Sequence, residues 1–494
     1  MVYSFHHFYY WVKGGVEAGL AYRSRIFKKM GVEAKFVFAT PFPEGNMQHE
    51  MERLGLEDSD VIWMYSFFTN CKIAPCSVRL SSFLNSLEGL PYEIKREHCF
   101  VQVLVPETKT RYAIKMVNDN SNTIVFVDTL VNECLLRRDY YTYVLQYSEF
   151  YVPRDHRAKL YMRRFYNEDG TAAYEELWNE KNVRYVFPDM TFYSMEELVG
   201  YMMKRMQLNR DDLILIDGEP GNIDRSAFIL NASPARVGFM VHADHVLSQD
   251  EDTIQWYKFY SYAFMHPEKI DFYITNTDLQ SEMLRSQLKK YSGVDKKVYT
   301  IPASGLKDLK YSGERNRHSL ITAGRLAPEK NTDMVIKAVA NAKKKIPDIT
   351  LDIYGEGMLD AELQKLIDEL DAREYIKLCG FQKISELYSQ YDAYVSASFI
   401  ETLGITYLEA VGSGLPIVAF DIPYGAKVLV DEGKNGYLAK YGDIDELSEL
   451  LVKLFSETDL TSFREHSYEI AKEYLQVEIE KKWKSVIEMK ELFF

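Results

Sequence analysis

The segment Glu401-Thr-Leu-Gly-Ile-Thr-Tyr-Leu-Glu409 separates two carboxylates by seven residues and is followed by Gly412, Gly414 and Pro416. An apolar run precedes it and a helical pattern follows, so it falls at a strand-to-helix junction, with Glu401 in the turn and Glu409 about two helical turns further on. Gly404 lets the backbone approach a ligand closely, and the amides of Ile405 and Thr406 would point at it from the helix N-terminus, a seat for a phosphate. A bare pair of glutamates is more often solvated surface; the glycine-rich context argues for a site. Upstream, Arg325 and Lys330 stand at the end of one apolar run and in the loop beyond it. Two cations there can neutralise the charge on a departing nucleotide diphosphate without a metal. Arg-x4-Lys alone is common, but beside the Glu pair in one predicted sheet it becomes specific. No Asp-x-Asp falls next to these residues, since Asp58-Ser-Asp60 and Asp250-Glu-Asp252 read as helix-start or surface acids. Neither a metal site nor a cofactor is expected.

These residues need a scaffold, and the flanking sequence supplies a repeating one. HSLITAGRL (318–326) reads as a strand, and Val335, Val339 and Ala342 beyond it recur at helical spacing. LDIYGEG (351–357) precedes a helix carrying Leu363, Leu366, Ile367 and Leu370. YIKLCGF (375–381) precedes a predicted helix from Ile384 to Tyr391, AYVSAS (393–398) the helix near 405–412, and PIVAFDI (416–422) another with Leu447, Leu450, Leu451 and Leu454. Such alternation predicts a parallel sheet with helices on both faces and ligands at the strands' carboxyl ends, a Rossmann-like domain over 303–478.

A second Rossmann-like domain is split, over 1–45 and 195–302. It opens with Tyr3 to Tyr10, the Gly14-Gly15 turn and a helix through Val16 to Met30, and resumes with DLILIDGEPG, VGFMVHADH and DFYITNT. Between these pieces the span 46–194 is expected as a β-rich insertion, because CFVQVLV, TRYAIKMV, TIVFVDTLV and KLYMRRFY alternate and are separated by turn-like NDNSN and NEDG. Its edge or face is the natural place for a partner or a long acceptor, with a purely architectural role as the competing reading. PASGLKDLKYSGERNR (302–317) reads as the linker between the sheets, leaving a cleft between the domains. From about 461 the chain is helical, with 479–494 expected to cross back to the first domain.

A chain of 494 residues is too long for one core, and 47% hydrophobic with 27% charged residues is a globular balance. The 36 tyrosines suit sugar or protein contacts, or simply a β-rich region. A net charge of −14 without a long basic block disfavours nucleic acid and, weakly, a polyanionic acceptor. Five cysteines in an odd count, without paired metal-ligand spacing, read as reduced thiols of a cytosolic protein. Met1 to Trp11 lacks a signal-peptide pattern, and no apolar stretch approaches the ~18–20 residues of a spanning helix. The expected location is the cytoplasm, with the inner face of the cell membrane as a peripheral station.

The Arg…Lys and Glu-x7-Glu pattern resembles the retaining family 4 GT-B glycosyltransferases. The resemblance implies two Rossmann-like domains facing a cleft, with Arg325 and Lys330 on the pyrophosphate, Glu409 on the ribose hydroxyls and Glu401 by the sugar. The sequence is more closely similar to the catalytic subunits of the O-GlcNAc transferases that modify serine-rich adhesins in the accessory Sec pathway. The shared stretches are GGVEAGLAYR (14–23), NMQHEMERLG (46–55), VIWMYSFFTNCKIAP (61–75), RFYNEDGTAAYEELWN (164–179), VHADH (241–245) and SGLPIVAFDIPYG (413–425). That likeness implies transfer of GlcNAc, or glucose, from a UDP-sugar to Ser/Thr hydroxyls before export. It also implies a homologous stabilising subunit, or a homo-oligomer, joined through the β insertion. It sets His242 against the donor sugar, with His245 a weaker candidate, and brings Gly14 and Gly15 near the donor phosphate. Relatives often have Glu-Gly-Phe-Gly where this chain has Glu401-Thr-Leu-Gly404, which puts the backbone approach to the sugar in question. Transfer to wall teichoic acid and a non-catalytic, acceptor-binding subunit are the alternatives.

Overall fold

A computed structural model describes residues 1–6, 15–40, 45–87, 89–155, 157–179, 182–217 and 225–488. Its compact units are residues 1–13 with 27–238, and residues 14–26 with 239–494.

One sheet has seven strands in the order Lys297–Thr300, Phe272–Thr275, Arg236–Val241, Leu213–Ile216, Val2–His6, Ala34–Phe38, Val61–Trp63. Numbered along the chain this is 7-6-5-4-1-2-3, a doubly wound order whose sense reverses between Val2–His6 and Leu213–Ile216. Leu213 to Ile216 are all buried, the continuous apolar run of a strand covered on both faces. Val61–Trp63 lies within the span expected as insertion, yet it pairs parallel to Ala34–Phe38, because Val61 and Trp63 bury their side chains there.

The antiparallel strands run from Glu93–Glu97 to Thr191–Phe192, ten in sequence order. Cross-strand neighbours stack into a ladder: Tyr140 on Tyr147, Tyr147 on Phe165, Phe165 on Tyr174 and Tyr174 on Phe187, at centroid separations of 4.2, 5.2, 4.5 and 4.9 Å. One rung further along, the same face holds alternating charges. Arg163, largely shielded, bonds Glu149 at 2.8 Å on one side and Glu176 at 3.2 Å on the other. Burial holds the Glu176 carboxyl above the ordinary range, against the pull of Arg163. The ladder absorbs several of the tyrosines noted in the composition. The first strand, Glu-Ile-Lys-Arg-Glu, is exposed along its whole length.

The third sheet holds six parallel strands in the order Ile376–Leu378, Thr350–Tyr354, Ser319–Ala323, Ala393–Ser396, Ile417–Phe420, Gly436–Ala439. This is 3-2-1-4-5-6 along the chain, reversing between Ser319–Ala323 and Ala393–Ser396. Successive residues serve opposite faces: Leu320, Val395 and Val418 join one core, with Val335, Ile336, Leu447 and Leu451. Ile321, Tyr394 and Ile417 join the other, with Tyr388, Tyr407 and Leu408. The helix expected from Ile384 to Tyr391 is instead a series of tight turns, with a single 3-10 turn at Tyr388–Gln390. The i,i+3 spacing of a 3-10 turn carries Tyr388 and Tyr391 inward together, where Tyr391 bonds Asp352 at 2.7 Å and Tyr354 at 2.8 Å.

The linker is fastened by its backbone, with Leu306 N–H donating to Tyr474 and Gln476 N–H to Leu306, both at 2.8 Å. Helices Leu460–Lys472 and Gln476–Ile487 follow, and Trp483 lies 5.8 Å beneath the Arg23 guanidinium of helix Gly15–Lys29. Among the described residues no helix is long and apolar enough to cross a membrane, and the five cysteines are free.

Candidate functional site

The two strands flanking the reversal point of the six-stranded sheet deliver the charged residues. Arg325 and Lys330 follow Ser319–Ala323; Glu401 follows Ala393–Ser396, and helix Ile405–Gly412 carries Glu409. A crevice outside the carboxyl ends of strands at such a point is where doubly wound sheets take ligands. Backbone bonds hold the two loops together: Phe399 N–H donates to Glu329 O at 2.8 Å and Asn331 Nδ2 to Ala397 O at 3.0 Å.

That stitching lets Lys330 reach Glu401, and the ammonium pairs with the carboxylate with both side chains largely shielded. Arg325 is turned toward Glu329, 2.7 Å away, and remains half-exposed. Glu409 has a different environment. Burial raises its carboxyl above the ordinary range, and the nearby hydroxyl of the fully buried Tyr388 partly offsets the shift. The Tyr394 hydroxyl donates to Thr406 Oγ1 at 2.9 Å and fixes that side chain at the helix start. Burial first, with smaller contributions from the Glu401 and Glu409 charges, pushes the Tyr394 phenol up, so it stays a neutral donor.

Two glycines permit the close approach. Gly404 has φ +73°, and a Cβ there would stand 2.7 Å from the Tyr407 ring. Gly425 has φ +55°, and its Cβ would lie 2.6 Å from Glu401 Cβ. Both positions combine a left-handed backbone with no room for a side chain.

Residues from the other parallel sheet meet these loops. Gly15, at the start of its helix, lies against Ile405, whose Cδ1 is 3.6 Å from where a Gly15 Cβ would be. Gly14 lies outside the described residues. His242 follows strand Arg236–Val241, and its carbonyl accepts from Thr402 Oγ1 at 2.7 Å. His245 is fully buried, bonds Gln287 at 2.8 Å and stacks on Trp256, and burial lowers its pKa. Its ring also packs against Phe264. Asp250 accepts from the backbone N–H groups of Asp252 and Thr253, and Asp58 to Asp60 form a 3-10 turn. Among the described residues no cluster of three or more His, Cys, Asp or Glu could hold a metal ion.

Sequence reasoning passed over Tyr388, Tyr394, Glu329 and Gly425, and it noted Thr402 only as a lost glycine. Nothing local in the sequence marks the two tyrosines. Gly425 closes the Ile422-Pro-Tyr-Gly425 stretch after the strand Ile417–Phe420, and its Pro and Gly were an available turn signal.

Residues 310–474 match the family model of glycosyl transferases group 1, and residues 93–189 that of the GtfA extended beta-sheet domain. The chain is 40% identical over 485 residues to a UDP-N-acetylglucosamine–peptide N-acetylglucosaminyltransferase GtfA subunit from Streptococcus agalactiae, covering 96% of this chain and 95% of the relative. With the corresponding subunit of Streptococcus gordonii it shares 36% identity, over 97% and 96% of the two chains. Among solved structures, the pneumococcal O-GlcNAc transferase GtfA in complex with UDP and GlcNAc superposes with a TM-score of 0.92 at 36% identity, covering 99% of this chain and 98% of that one. A GtfA/B complex structure gives the same TM-score and identity, over 98% of each chain. TarM, 20% identical with a TM-score of 0.80, covers 99% and 98% and shares the GT-B fold.

Proposed function

Because the chain belongs to the family of GtfA subunits of UDP-N-acetylglucosamine–peptide N-acetylglucosaminyltransferases, we propose that it transfers GlcNAc from UDP-GlcNAc to Ser/Thr hydroxyls of a protein. The observation that carries this reading is the meeting of Lys330 with Glu401 across the reversal point of a doubly wound sheet, with Arg325 and Glu409 on the flanking loop and helix. Arg325 and Lys330 neutralise the diphosphate as it leaves, aided by the amides of Ile405 and Thr406. Glu409 accepts from the ribose hydroxyls, and Glu401 and His242 face the sugar, with Gly15 closing on the phosphate side. The acceptor hydroxyl attacks on the face that UDP leaves and gives its proton to the departing phosphate oxygen, so configuration is retained. Two fixed cations and oriented amides supply the charge neutralisation, and the reading therefore requires no metal.

The acceptor fitting this family and this acidic chain is a serine-rich adhesin modified before export. A homologous second subunit is expected to bind through the antiparallel sheet, and the place of action is the cytoplasm or the inner membrane face. Incubation of a Ser/Thr-rich peptide with UDP-GlcNAc or UDP-glucose, with and without chelator, followed by mass spectrometry, tests the reading. A single GlcNAc increment that survives chelation is the expected result. Modification of poly(ribitol phosphate) in place of the peptide, or no transfer although UDP binds with the second subunit present, would overturn it.

A further inference from the structure

Two segments that are distant in sequence meet on one side chain, that of Thr402. Its Oγ1 donates to the His242 carbonyl at 2.7 Å and accepts from Asn276 Nδ2 at 3.3 Å. Asn276 Oδ1 in turn accepts from the Ala303 N–H at 2.9 Å, and that requirement for an acceptor fixes which way the buried amide faces. The Thr402 carbonyl accepts from Gly425 N–H at 2.8 Å. Ala303 lies at the start of the linker, Asn276 follows the strand Phe272–Thr275, His242 follows Arg236–Val241, and Thr402 stands next to Glu401.

A hydroxyl has a single proton, and here it is committed to the His242 backbone while the lone pairs hold Asn276. Valine has the same shape and can do neither. We propose that Thr402 is a positioning residue, whose hydroxyl seats the His242 segment against the loop of Glu401 and so presents His242 to the donor sugar. This rests on the donor site proposed above. Arg325, Lys330 and Glu409 hold diphosphate and ribose without help from Thr402, so its hydroxyl acts on the chemical step rather than on the nucleotide.

Thr402→Val and Thr402→Ser test the inference through three readouts: UDP affinity by calorimetry, peptide transfer kinetics, and amide deuterium exchange of the segment around His242. Thr402→Val should keep UDP affinity within about twofold while kcat falls about tenfold or more, the loss expected when a positioned group near the reacting centre is displaced. Thr402→Ser should recover most of the rate, and exchange after strand Arg236–Val241 should quicken in the valine variant alone. Parental turnover in Thr402→Val, or a fall in UDP affinity matching the fall in kcat, would overturn the proposal. Should the unaltered protein fail to transfer GlcNAc, the functional reading falls, while exchange still decides this one: equal rates in parent and valine variant refute it, and faster exchange supports it.

Discussion

Lys330 and Glu401, 71 residues apart in sequence, form an ion pair at the reversal point of the six-stranded sheet. A cation held by a carboxylate is already positioned and desolvated for a second anion. Lys330→Ala, and separately Arg325→Ala, should lower kcat/KM for UDP-GlcNAc by about a hundredfold, near 2.7 kcal/mol at 1.36 kcal/mol per decade. Steady-state kinetics with a Ser-rich peptide provides the check, and unchanged turnover in both variants would remove these residues from the donor site.

Glu409 places function and stability in opposition. Its folded pKa is raised by burial, so between the unfolded value of about 4.3 and the folded one, the folded chain holds a proton that the unfolded chain has released. Stability therefore falls as pH rises through that window, and the penalty is complete above it. Glu409→Gln removes the penalty. Denaturant midpoints should show the variant gaining more over its parent at pH 8 than at pH 5, while transfer activity drops about tenfold or more with the ribose contact.

Gly425 faces Glu401 with positive φ and no space for a Cβ. Gly425→Ala should destabilise the chain by about 1–2 kcal/mol from the backbone strain of a left-handed alanine. The displaced Glu401 should add a rise in donor KM, a combination that thermal unfolding and kinetics would resolve.

Arg163 stands between two buried carboxylates, Glu149 and Glu176. Arg163→Met strands both charges and should cost about 3–5 kcal/mol, whereas replacing all three by apolar residues of similar volume should recover most of the loss. Urea unfolding followed by tyrosine fluorescence would compare the two variants. An Arg163→Met chain as stable as its parent would show that these ion pairs add nothing to stability.

The parallel sheets were legible in the sequence because each strand there is a short apolar run followed by a helical period, and each half of that pattern identifies the other. Arg325, Lys330, Glu401 and Glu409 were legible for the same reason, since their places at strand ends follow from the alternation. The strand Val61–Trp63 was assigned with the insertion because three residues carry no period, and only its parallel pairing reveals where it belongs. Ile384 to Tyr391 has helical spacing, but the bonds made by Tyr391 favour tight turns instead. Thr402 could not be read as a tie to His242, because a hydroxyl's partners 126 and 160 residues away leave no local trace.

The exposed first strand of the antiparallel sheet, Glu93-Ile-Lys-Arg-Glu97, has a bearing on solubility. If a second copy added to it antiparallel about Lys95, Lys95 would face Lys95 and Glu93 would face Glu97, with like charges directly opposed. Shifting the register by one residue would turn each strand's alternation against its neighbour's. Two ten-stranded sheets could otherwise join edge to edge into one, and this charged margin makes such self-pairing unfavourable while leaving the backbone groups open to a sequence with complementary charge.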